Sequence, residues 1–146
     1  MTRQMNVLLV EDDDVDAMIA RRALKKIAPD AVVVHVQDGI EALELLKNDT
    51  NQCAIPHPYF ILLDINMPRM NGHEFLAELR GLDTGQADTV VYMFTTSDNP
   101  SDIERAYSSR ANGYILKPCN QDSLRNTLET LQNFWRVCEP PLAPGV

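Results

Sequence analysis

Four groups of residues in this chain have side chains that can do chemistry, and each follows a run of apolar residues. Glu11-Asp12-Asp13-Asp14 follows Val7-Leu8-Leu9-Val10, and Asp64 follows Ile61-Leu62-Leu63. Thr95-Thr96-Ser97 follows Val90–Phe94, and Lys117-Pro118 follows Tyr114-Ile115-Leu116. Brought together, Asp64 and Glu11 or Asp12 would repel one another unless a cation or a proton intervened. A hard divalent cation with oxygen ligands resolves that repulsion, and Mg²⁺ suits a site with few carboxylates and several waters. Such an ion would also shield Asp64 from an incoming anion. Asp64 then has the makings of a carboxylate nucleophile that takes a phosphoryl group as an acyl phosphate. Lys117 offers a cation for the phosphoryl oxygens, and Thr95 offers a hydroxyl.

Taken singly, each group has an ordinary explanation. An acid run after a strand is most often a solvated loop, an Asp before Ile-Asn-Met-Pro can form a turn, Thr95 can simply end a strand, and Lys-Pro can be a surface turn. Their joint occurrence after successive strands, with the side-chain types one site would need, points to chemistry.

The elements that would position these groups alternate between strand and helix. Residues 7–10 form a short continuous apolar run, as a strand covered on both faces should. A helix follows over 16–27, with Ala20, Ala23, Leu24 and Ile27 at helical spacing, and Pro29 helps end it. Residues 31–36 are β-branched and read as the second strand. Asp38-Gly39 turns into a second helix with Ala42, Leu43 and Leu46 on one face. The polar stretch 48–58 is the longest loop. The third strand covers 59–63, and a helix carrying Phe75, Leu76 and Leu79 follows Pro68 and Gly72. The fourth strand covers 89–94; the next helix starts near Ser101, with Ile103, Ala106 and Tyr107 expected inward. A fifth strand over 113–116 precedes a last helix over 121–135, with Leu124, Leu128, Leu131 and Trp135 in its apolar stripe. One domain is expected over 5–137, with a flexible, proline-rich C-terminal tail over 138–146 and no output domain beyond it.

Such alternation implies right-handed βαβ units and an α/β fold with a doubly wound, five-stranded parallel sheet. Order 2-1-3-4-5 is expected, with the site past the carboxyl ends of the strands where the chain reverses between strands one and three.

With 146 residues, 45% of them hydrophobic, the chain can bury a core as one domain. A net charge of −8 repels phosphate backbones, so no nucleic-acid binding is expected. No apolar run approaches the roughly 20 residues a membrane span needs, and no secretory leader is expected. Cys53, Cys119 and Cys138 are odd in number and lack a CxxC pairing, which argues against a disulfide framework or a zinc site and fits free thiols in the cytoplasm.

Leu9-Val10-Glu11-Asp12, Leu62-Leu63-Asp64-Ile65-Asn66-Met67-Pro68, Gly72, Thr95 and Tyr114-Ile115-Leu116-Lys117-Pro118 together resemble the receiver domains of bacterial response regulators, from about Val7 to Trp135. The resemblance implies the flavodoxin-like receiver fold and a phosphoaccepting, non-enzymatic role in two-component signalling. A sensor histidine kinase would supply the phosphoryl group, and the signal would leave by protein–protein interaction or phosphorelay. Asp64 is implied as phosphoacceptor and Mg²⁺ ligand, Asp12 as a direct Mg²⁺ ligand, and Glu11 as an outer acid. The main-chain carbonyl of Asn66 is implied as a further ligand. Lys117 is implied as the phosphate-binding lysine, Thr95 and Tyr114 as the switch pair, and Lys117–Pro118 as a cis peptide. Asp13 competes with Asp12 for the ligand role, with spacing from Val10 favouring Asp12. Cys119 departs from the bulkier apolar residue common after Lys-Pro.

The residues 64–72, Thr95-Thr96-Ser97, the Tyr107 region and Phe134-Trp135 followed by Pro140 are more similar still to stand-alone receivers, including those paired with phytochrome-type kinases. A homodimer through the fourth helix, fifth strand and fifth helix is expected on that resemblance. Asp102, Glu104, Arg105, Arg110, Arg125 and Glu129 would supply opposite charges there. Trp135 would either anchor that interface or close the core. An aspartyl-nucleophile phosphatase is disfavoured, because it needs an acid where Asn66 stands. A receiver that is never phosphorylated is disfavoured because no acid, threonine or lysine of the site is missing.

Overall fold

Strand β1, Asn6–Val10, is buried along its whole length, as its apolar composition requires of a strand covered on both faces. The computed structural model describes residues 3–47 and 55–141; the loop residues 48–54, with Cys53, and the tail residues 142–146 lie outside it. After β1 come α1 (Asp14–Ile27), β2 (Val32–Val36), α2 (Gly39–Lys47), β3 (Phe60–Leu63) and α3 (Gly72–Arg80). Then follow a short 3₁₀ turn at Gly85–Asp88, β4 (Val90–Thr95), α4 (Pro100–Ser108), β5 (Gly113–Leu116) and α5 (Gln121–Val137).

The five strands are parallel, in order β2-β1-β3-β4-β5, as expected. Alternating side chains of the sheet feed two separate cores. Leu8, Val10, Ile61, Leu63, Val91 and Met93 face α2, α3 and α4, packing with Leu43, Leu46, Phe75, Leu76 and Ala106. Val7, Leu9, Phe60, Leu62 and Phe94 face α1 and α5, packing with Ala20, Leu24, Leu128 and Trp135. Side-chain period two in the strands and helical periodicity in the covering elements meet on each face.

One expectation about an aromatic residue needs correction, and the alternatives for another are decided. Tyr107 is 50% exposed, because on the short α4 the buried position is Ala106 and the next residue turns away from the sheet. Trp135 is 1% exposed and meets the Phe60 ring edge-on at 5.0 Å, so it closes the core and is no interface anchor. The four-, three- and four-residue spacing from Leu124 puts it on the stripe that α5 presents to the sheet. Arg3 bonds the carbonyls of Trp135, at 2.7 Å, and Cys138, which ties the start of the tail to the chain's beginning.

The helix starts are chemically marked. Asp13 caps α1 by accepting the N–H groups of Val15 and Asp16, both at 2.9 Å. Asn71 and Glu74 form a reciprocal capping box at α3. No helix among the described residues is long and apolar enough to cross a membrane.

Candidate functional site

The carboxyl ends of β1, β3, β4 and β5 converge, because parallel strands in this order all end on one edge of the sheet. Glu11 and Asp12 follow β1 directly, and Asp64 follows β3. Carboxylate oxygens of these three residues all lie within 4.8 Å of one another. Glu11 is 3% exposed and Asp12 is exposed at the mouth. Asp13, the competing acid, spends its carboxylate on the α1 cap, which leaves Asp12 for the cluster.

Lys117, beyond the end of β5, reaches into the same space. Its ammonium hydrogen-bonds the Glu11 carboxylate and lies 3.4 Å from Oδ2 of Asp64 and 3.7 Å from Asp16. The main chain fixes its approach, since the Lys117 N–H donates to the Thr95 carbonyl at 2.8 Å. Burial pulls the Lys117 ammonium toward neutrality, but the Glu11 hydrogen bond and the Asp64 charge outweigh it and hold it above the usual lysine value. Glu11 moves the other way for a carboxylate. Its burial, with the Asp64 charge adding to it, outweighs Lys117 and pushes its pKa up to about 7. The cluster is thus short of positive charge and built only of hard oxygen donors, which fits a small divalent cation.

Asp64 is oriented by its own loop: Oδ1 accepts the N–H of Ile65 at 2.8 Å. Behind it, the Gly72 N–H donates to the Ile65 carbonyl at 2.8 Å, and a Cβ on Gly72 would lie only 2.2 Å from the Asp64 carbonyl oxygen. Glycine is required there by close approach of backbone to backbone. Asn66 is exposed two residues beyond Asp64. Arg69, in the left-handed region at φ 64°, clamps the same loop by a two-pronged bond to Asp38 at 2.9 and 3.2 Å.

Thr95 ends β4, fully buried, with its Oγ1 accepting the Ser97 N–H at 3.3 Å. Tyr114 on β5 is half-buried; its ring packs on the core beneath α4, and its hydroxyl donates to the Ser97 carbonyl at 2.8 Å. Burial, the largest influence, raises the Tyr114 pKa, so the phenol is a donor at neutral pH.

Three features differ from expectation or were missed. The Lys117–Pro118 peptide is trans; the cis peptide bond among the described residues is His57–Pro58, either isomer being open to an X-Pro bond. Asp102 is not a free charge on the α4 surface, since it bonds His73 and Ser97. The Asp38–Arg69 clamp joins residues 31 apart, so only the turn residue at Asp38 was visible in the sequence.

Residues 7–129 match the response regulator receiver domain model. Response regulator Rcp1 of a Synechocystis strain is 32% identical over 129 residues, covering 88% of this chain and 87% of Rcp1. A probable methanogenesis regulatory protein of Methanothrix harundinacea, FilR2, is 32% identical over 130 residues, covering 88% of this chain and 82% of its own length. The phosphorylated cyanobacterial phytochrome response regulator RcpA superposes with a TM-score of 0.83 at 30% identity, over 96% of this chain and all of its own. The Mn²⁺-bound form of Rcp1 does so at 0.79 and 30% identity, over 94% of this chain and 99% of its own. With the acids of β1 and β3 gathered around one lysine on a 2-1-3-4-5 sheet, these matches place the chain in the response regulator receiver family, the phosphoaccepting partners of sensor histidine kinases in two-component signalling.

Proposed function

We propose that Asp64 is the phosphoacceptor, and that the chain takes its phosphoryl group from a phytochrome-type sensor histidine kinase. The observation that carries the reading is the position of the Asp64 carboxylate, which shares a cluster with Glu11 and Asp12 and has the Lys117 ammonium 3.4 Å away. A carboxylate oxygen of Asp64 attacks phosphorus, the bond from phosphorus to the donor histidine nitrogen breaks, and its electron pair leaves with the imidazole. Lys117 then holds a phosphoryl oxygen, and the Ile65 N–H stays by the carboxylate it already bonds. Asp12 and Asp64, with Glu11 behind them and the Asn66 carbonyl as a further ligand, would hold Mg²⁺, which when bound would offset the charge of the carboxylates against the phosphoryl oxygens. The likeness to RcpA, a phytochrome response regulator, favours the phytochrome class of kinase.

In this reading Thr95 and Tyr114 form the switch. The Thr95 hydroxyl moves to the phosphoryl oxygen, and the space it leaves favours the inward Tyr114 ring, a two-state element biased by one local charge. The module acts in the cytoplasm and signals without catalysing turnover of its own. Its output surface is the face of α4, β5 and α5, used as a homodimer, where Tyr107, Leu116 and Phe134 stand 49–51% exposed.

Phosphotransfer tests the assignment. An autophosphorylated phytochrome-type kinase, mixed with the chain and Mg²⁺, should pass its label to wild type and not to Asp64→Asn. Label that stays on the kinase contradicts the donor class.

A further inference from the structure

His73, the second residue of α3, is 3% exposed, and the phosphoryl chemistry above makes no use of it. Its Nε2 lies 3.1 Å from Oδ1 of Asp102 on α4. The other carboxylate oxygen, Oδ2, accepts the Ser97 hydroxyl at 2.6 Å. Ser97 in turn donates its N–H to the Thr95 hydroxyl at 3.3 Å and accepts the Tyr114 hydroxyl on its carbonyl at 2.8 Å. Groups from α3, α4 and the β4–α4 loop therefore form one hydrogen-bonded chain that ends on both side chains of the switch.

The chemistry of the groups fixes their roles. An ionised Asp102 only accepts, so the His73 proton sits on Nε2. The His73 Nδ1 is buried and has no hydrogen-bond partner among the described residues. A proton on Nδ1 would be a buried donor without an acceptor, in keeping with donation from Nε2 to Asp102. The Ser97 hydroxyl first, and His73 after it, hold the Asp102 carboxyl below its usual range, in keeping with an ionised acceptor.

The place of His73 along the chain matters as much. It directly follows Gly72, whose N–H bonds the Ile65 carbonyl and whose Cα is seated against the Asp64 carbonyl. The backbone of the phosphoacceptor and the first turn of α3 are in contact, and the His73 side chain leaves from that turn toward α4.

We propose that His73 is a positioning residue of the switch: acting through Asp102, it fixes Ser97 so that the Tyr114 ring is held inward, and it links the backbone of Asp64 to Tyr114 by a route separate from the Thr95 hydroxyl. The proposal rests on the reading of Thr95 and Tyr114 as the switch. Coupling of this kind is read in the equilibrium of the two-state element itself.

The full chain labelled with fluorotyrosine reports it, with the Tyr114 fluorine signal assigned by Tyr114→Phe. His73→Leu fills the space without donating, whereas His73→Gln keeps an N–H donor toward Asp102. In the unphosphorylated protein the Tyr114 signal should move in His73→Leu and stay at the wild-type position in His73→Gln. Labelling by acetyl phosphate with Mg²⁺ should slow about two- to tenfold in His73→Leu and return to within about twofold in His73→Gln, the population change that one hydrogen bond supports. Should His73→Leu not fold, Asp102→Ala breaks the same link from α4 and carries the same expectation. A Tyr114 signal at the wild-type position in the folded link-breaking variant overturns the proposal alone. A Tyr114 signal that ignores beryllofluoride and Mg²⁺ in every variant, while labelling proceeds, removes the switch reading and the proposal with it.

Discussion

The Lys117 ammonium, reaching in from the end of β5, lies 3.4 Å from Oδ2 of Asp64 at the end of β3, and it is hydrogen-bonded to Glu11 at the same time. One cation thus serves two partly buried acids from different strands. Lys117→Ala leaves Glu11 and Asp64 facing each other without it. Labelling by acetyl phosphate should slow about a hundredfold, the usual cost of losing one charge-stabilising donor from a site of this kind. A labelling rate within about twofold of wild type would remove Lys117 from the phosphoryl site.

Glu11 gives the site a pH dependence. Its pKa is pushed up from 4.5 to about 7, chiefly by burial, so the folded chain holds this proton more tightly than the unfolded chain. Its contribution to metal-free stability is therefore full below 4.5 and is lost as pH rises through about 7. Mg²⁺ competes with that proton, so the gain in melting temperature from millimolar Mg²⁺ should be larger at about pH 8 than at about pH 6. Scanning calorimetry with and without the ion checks both signs.

Gly72→Ala places a methyl group 2.2 Å from the Asp64 carbonyl oxygen, a main-chain atom that cannot swing aside. The α3 start must shift, at a cost of about 1–3 kcal/mol or more for such overpacking. Urea unfolding should show that loss, and acetyl phosphate labelling of the folded fraction should slow as well, since the same backbone carries Asp64.

Self-association through α4, β5 and α5 is expected to depend on Phe134, which is 51% exposed beside the cleft between β5 and α5. Phe134→Ser should shift phosphorylated protein toward monomer in sedimentation, while Trp135 stays untouched in the core. A phosphorylated wild type that sediments as a monomer at cellular concentrations removes the dimer.

The acid cluster and its lysine were legible because Glu11, Asp12, Asp64 and Lys117 each follow a strand in sequence, and a parallel sheet gathers strand ends without further instruction. Glu11, Asp12, Asp64 and Lys117 needed only the topology to meet. The His73–Asp102–Ser97 chain was invisible for the opposite reason. It joins a helix start to a helix residue 29 positions on and to the loop before that helix, and no periodicity announces which polar face of α3 will meet α4. Tyr107 shows the limit of helical spacing: it fixes the stripe but not how much of it a short helix buries. The 3₁₀ turn at Gly85–Asp88 carries no apolar pattern of its own, and its Thr84 cap becomes meaningful once the Arg80 side chain is seen bonding the Ala87 and Thr89 carbonyls.

Intact mass after treatment with acetyl phosphate and Mg²⁺ tests the central claim most directly. The account predicts that wild type gains the mass of one phosphoryl group, that the gain disappears when the divalent ion is chelated beforehand, and that Asp64→Asn gains nothing. Labelling of Asp64→Asn to the wild-type extent would contradict it.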